Sequence, residues 1–120
     1  MKDETKKAFE FLCERWTVLI LCKEMTRQKF MFMLMDFMER HGEDAVIALA
    51  GFYMFVINSN KHTPDSKRSM LYSTFTHDLF DLGQYMLPRS SDYAYFWKKY
   101  EPEALTTNEA SFLNNQTISK

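Results

Sequence analysis

Glycine and proline are scarce in this chain, with three of each in 120 residues. Sandwiches and barrels of short strands need turn residues at regular spacing, so an all-β architecture is disfavoured. Neither sign of charge is in excess: fifteen Lys and Arg against sixteen Asp and Glu leave a formal charge of −1. A protein that grips a phosphate backbone usually carries a clear basic excess, which ranks nucleic-acid binding low. Long hydrophobic stretches are also missing. The longest uncharged apolar run, Ala45 to Ile57, has thirteen residues, short of the roughly 20 needed to cross a bilayer, so no membrane association is expected. It reads instead as a buried core helix. The start, MKDETKK, is charged and helix-forming with no small-residue cleavage site behind it, which argues against a signal peptide and for the cytoplasm.

Cysteine is limited to Cys13 and Cys22. Nine residues apart on a single helix, they fall on opposite faces and lack metal-ligand spacing. Both are expected to be reduced, small apolar core residues. Catalytic signatures are missing as well. No glycine-rich loop cradles a phosphate, and Ser69, Ser73 and Thr74 come without a strained nucleophile turn or an oxyanion motif. No cofactor is expected.

What the chain has in quantity is large, adaptable apolar side chains: eleven Phe, nine Met, six Tyr and two Trp. Their spacing predicts an all-α fold, a single compact domain of about five helices over residues 1–105. Residues 106–120 form a polar C-terminal tail with one short amphipathic turn. The first helix is expected from about Thr5 to Met25, with Ala8, Phe9, Leu12, Trp16, Leu19 and Ile20 on one face and Phe11, Val18 and Cys22 widening it. Thr26 caps a second helix over Arg27–His41, which Gly42 ends. Glu43 and Asp44 open a third, where they meet the positive end of its dipole. Alternating apolar residues leave a short strand as an alternative at 30–35 or 52–57, since both runs also suit β structure. Thr63-Pro64-Asp65 is the sharpest start signal: a capping hydroxyl, proline in the first turn and an acid. The fourth helix then presents Leu71, Phe75, Leu79, Leu82 and Met86 on one face and stops at Pro88. Ser90, Ser91 and Asp92 offer a cap for a fifth, Tyr93 to Tyr100. Thr106 and Glu109 fit a capping box.

Three surfaces could carry function. His77 and Asp81 lie one helical turn apart, so both reach one metal ion or one water, helped by His41 or nearby carboxylates. A solvated polar face opposite Leu71 and Phe75 explains the same residues. The segment 93–100 alternates rings with cations, and Trp97, Lys98 and Lys99 could stack and hold a single strand. A short helix clamping the core with Phe96 and Trp97 explains it equally. The third surface is the methionine run. Thioethers fit irregular gaps and are over-used on surfaces that adapt to partners, and aromatic and Met enrichment marks interface cores.

The leading expectation is therefore a non-enzymatic protein that docks on another protein, with self-association as a further expectation. Met31, Met35, Met38, Tyr93, Trp97 and Tyr100 are the predicted contact residues. The general type is that of small, motif-poor helical accessory factors of phages and mobile elements, which bind and inhibit or regulate a host component. A small metal-dependent enzyme at His77 and Asp81 and a nucleic-acid binder at Trp97, Lys98 and Lys99 are the alternatives.

Overall fold

The computed structural model describes residues 1–19, 25–78, 90–99 and 109, with the backbone alone for 18, 76–78 and 90. Its elements are α1 (Asp3–Cys13), α2 (Trp16–Leu19), α3 (Arg27–His41), α4 (Glu43–Asn58), α5 (Pro64–Tyr72), a π-helical turn (Ser73–Asp78) and α6 (Ser90–Lys99). The fold is all-α, and no strand occurs among the described residues. Residues 30–35 lie inside α3 and 52–57 inside α4, so helix prevails where a strand was the alternative. Local β propensity yields there to the caps at Thr26 and Gly42 and, in α4, to burial on nearly all sides.

Those caps fix α3 and α4. The Thr26 hydroxyl accepts the Lys29 amide at 3.1 Å, satisfying one of the donors a helix start leaves open. At the other end Gly42 has φ 95° and ψ 167°, a backbone region essentially reserved for glycine. Its amide bonds the Met38 carbonyl at 2.7 Å, and its own carbonyl receives the Ala45 amide at 3.3 Å. One residue thus closes α3 and opens α4. The thirteen-residue apolar run is the body of α4. Every residue from Ala45 to Ile57 is buried except the partly exposed Phe55. α4 is the central helix, packing chiefly against α6 and also against α1, α3 and α5.

The closest of these contacts is with α6. A methyl group on Gly51 would lie 1.7 Å from the Tyr93 carbonyl oxygen and 3.3 Å from the Trp97 nitrogen. Backbone here meets backbone, which only a residue without a Cβ permits. Phe52 and Tyr93 meet edge to face at 5.2 Å beside this crossing. α6 begins at Ser90, so Ser90, Ser91 and Asp92 form its first turn rather than a cap ahead of it. α5 starts as its sequence predicts: the Thr63 hydroxyl accepts the Ser66 amide at 3.2 Å, with Pro64 in the first turn. Lys67 Nζ reaches back to the Ile57 carbonyl at 2.8 Å, closing the end of α4 with a cation. Burial alone holds the Lys67 ammonium below its ordinary pKa.

The first helix departs from expectation. α1 ends at Cys13, and α2 covers only Trp16–Leu19; residues 20–24, Cys22 among them, lie outside the described residues. The break has an identifiable cause. Arg15 donates its amide to Leu12 at 3.0 Å, a tightened bond. The Phe11 carbonyl, its partner in a regular helix, instead accepts Arg15 Nη1 at 2.9 Å. The break follows directly on Cys13, the last residue of α1. Cys13 is buried and unpaired with another sulfur, and burial pushes its thiol pKa up.

Glu109 meets residues far from it in the chain. Its carboxylate takes Arg15 Nε at 2.6 Å and Nη2 at 3.0 Å and accepts the buried Tyr53 hydroxyl. The remainder of 101–120 lies outside the described residues, and Thr106 with it.

Candidate functional site

α3 carries two apolar faces. Phe30, Leu34 and Phe37 are fully buried and spaced by four and three residues, the stripe that packs on the core. The ring of His41 continues this line, 4.9 Å from that of Phe37. The opposite side holds Gln28, Phe32, Met35 and Glu39, all exposed. At 100° per residue these four occupy a sector of about 60°, again spaced four, three and four. Phe32 is 55% exposed and Met35 42%. Met31 and Met38 connect the two faces, partly buried and packed against the core's edge. On the other flank Asp36 and Arg40 pair at 3.0 Å. The result is an apolar centre with polar ends and a charged border.

A second surface lies where α6 crosses α4. Phe55, Asp92, Tyr93, Tyr95 and Phe96 line an open depression of about 400 Å³. Its rings form a chain, with Phe55 and Phe96 5.2 Å apart and Tyr95 and Phe96 5.6 Å apart. Lys99 Nζ stands 6.0 Å from the Tyr95 ring centre, within cation–π range. Tyr95 is 59% exposed.

The predicted contact residues separate accordingly. Met35 stands on the surface, and Met31, Met38 and Tyr93 are half-buried. Tyr100 lies outside the described residues. Trp97 is a core residue at 4% exposure, and the physical reason is a double anchor. Its ring meets Phe11 edge to face at 5.2 Å, and its indole nitrogen donates to Glu4 at 2.7 Å. A buried Trp needs such a partner for its N–H. Stacking of a base on Trp97 would require this ring to leave the core. Lys98 and Lys99 are exposed beside it. Among the described residues, Phe32 and Tyr95 are the exposed rings that sequence reasoning missed. Each sits inside an apolar or aromatic run, and only the turn of its helix decides that it points outward.

The side chain of His77 and the whole of Asp81 lie outside the described residues. The backbone of His77 falls in the π-helical turn, where bonds run to the fifth residue instead of the fourth. No group of three or more His, Cys, Asp or Glu able to hold a metal ion occurs among the described residues, and no helix among them is long and apolar enough to cross a membrane. Comparison with protein families, with curated proteins and with solved structures finds no match to this chain.

Proposed function

We propose that this protein acts by docking on a helix of another protein, through the α3 seam of Gln28, Phe32, Met35 and Glu39. The observation that carries this reading is the exposure of Phe32 (55%) and Met35 (42%) side by side on the outer face of α3. With about half of each side chain in water, the two forgo roughly half of the 1.5–3 kcal/mol that full burial of each is worth, a cost an interface would recover. Spacing of four and three residues suits a partner helix, whose own apolar ridge packs into such a seam. Met beside an aromatic ring gives a contact that adapts in shape. The near-neutral charge fits an apolar contact better than electrostatic capture. The role that follows is accessory or regulatory: the protein inhibits or redirects its partner by covering a surface.

A photo-cross-linking residue placed at position 32 or 35, in the cell that encodes the protein, tests this directly. One discrete adduct of defined mass is expected, with loss of the adduct at position 35 when Phe32→Asp is introduced. An adduct twice the mass of the chain would identify the partner as a second copy. A smear equal to that from the exposed control position Ser69, with Phe32→Asp leaving it unchanged, would rule the seam out.

A further inference from the structure

Arg15 and Glu109 are 94 residues apart in the chain, yet their side chains are only 19% and 12% exposed where they meet. The contrast is with Lys2 and Asp44, which pair across the molecule at 64% and 82% exposure. The groups around the Glu109 carboxylate are also held by contacts other than those with Glu109. The Phe11 carbonyl holds Arg15 Nη1, and the guanidinium carbon lies 3.6 Å from the Phe11 ring centre. That ring is itself wedged edge to face against Tyr53 at 5.4 Å and Trp97 at 5.2 Å. Tyr53 is fully buried on the central helix.

Arg15 thus has one nitrogen and one ring face fixed by Phe11. Its other two nitrogens, Nε and Nη2, donate to the carboxylate that the Tyr53 hydroxyl also meets. A planar fork with a third donor beside it matches a carboxylate in both shape and charge. Burial first, and then the Glu109 carboxylate, raise the Tyr53 pKa, which keeps its hydroxyl protonated and donating.

We infer that Phe11, Arg15 and Tyr53 form a preformed carboxylate-binding site in which Glu109 is a tethered ligand, replaceable by a carboxylate supplied from outside. The site is separate from the α3 seam and does not depend on docking there. Belonging to the same chain gives Glu109 an effective concentration at the site on the order of millimolar. An external carboxylate should therefore bind readily once the Glu109 side chain is removed, and in the wild type only at higher concentration.

The experiment uses the full chain carrying Glu109→Ala, with propionate as one probe and the acetylated, amidated peptide of residues 106–112 as the other. Readouts are the melting temperature and the Arg15 Nε–H resonance, identified by its loss in Arg15→Lys. Saturable recovery of at least half the lost melting temperature is expected with propionate, none with equimolar chloride, and none in Glu109→Ala carrying Arg15→Gln. The wild type should need about tenfold more propionate for the same Arg15 shift. Tighter binding of the peptide than of propionate would identify a protein-borne carboxylate as the ligand; equal binding would identify a small carboxylate. If Glu109→Ala does not fold alone, refolding by propionate supports the site, and Glu109→Gln, whose carboxamide still accepts from Arg15, provides the folded background for the same titration. An Arg15 resonance in Glu109→Gln that responds no more to propionate or peptide than to chloride overturns the inference.

Discussion

The carbonyl oxygen of Tyr93 lies where a β-carbon of Gly51 would be, 1.7 Å from its ideal position. The central helix and α6 are in backbone contact at this point, so their separation is fixed by the absence of one methyl group. Gly51→Ala must push α6 away or distort it, and we expect a loss of about 3 kcal/mol, the upper end of ordinary overpacking. Urea denaturation checks it, and an unchanged midpoint would show that α6 is not seated on α4 in this way.

Gly42 is required for the opposite reason. Nothing lies within 4 Å of a β-carbon built there, but its φ of 95° is unsuited to other residues. Gly42→Ala is expected to cost about 2 kcal/mol through backbone strain alone. Urea denaturation checks this as well, and an unchanged midpoint for Gly42→Ala would show that the positive φ of residue 42 is not required.

Trp97 and Phe32 should behave as opposites. Trp97→Ala empties a core position and should cost about 3–5 kcal/mol, while Trp97→Phe keeps a ring, loses the bond to Glu4 and should cost about 1 kcal/mol. Phe32→Ser removes an exposed ring and should move stability by no more than about 0.5 kcal/mol. Circular dichroism melts of the three variants establish the order. A Phe32→Ser variant as unstable as Trp97→Ala would show that the α3 seam is covered by the molecule itself.

Alkali should destabilise the protein in two stages. Burial raises the pKa of Cys13, and burial and Glu109 raise that of Tyr53, so both groups hold their protons more tightly folded than unfolded. Each contributes stability that is fully present below its unfolded value and is lost as pH rises towards the folded one. The decline should begin near pH 8.5 for the thiol and steepen above about pH 10, a tyrosine's ordinary value. Lys67, with its pKa lowered, acts in the opposite direction over the same range. Denaturation midpoints at pH 7, 9 and 11 test this, with Tyr53→Phe expected to flatten the upper stage.

Much of this architecture could be read along the chain, and the parts that could not share a cause. Thr26, Gly42 and the Thr63-Pro64 pair act on residues within four positions of themselves, so α3, α4 and α5 begin or end where their sequence places them. The break between α1 and α2 depends on Arg15, whose partner Glu109 is at the far end of the chain, so local periodicity extended the helix through it. The same holds for Trp97. Its segment looks equally suited to a surface or a core until Glu4 and Phe11 claim the ring. Composition announced a surplus of Met and Phe, but which of them face outward is set by the roll of α3 on the core, and a hydrophobic run does not encode that angle.

The single-residue junction at Gly42 has a mechanical meaning. A loop between two helices would let one roll while the other stays still, whereas a junction closed by hydrogen bonds to Met38 on one side and Ala45 on the other has no slack. A force that turns the outer face of α3 is therefore transmitted to the rod at the centre of the molecule, and from there to the helix resting on Gly51.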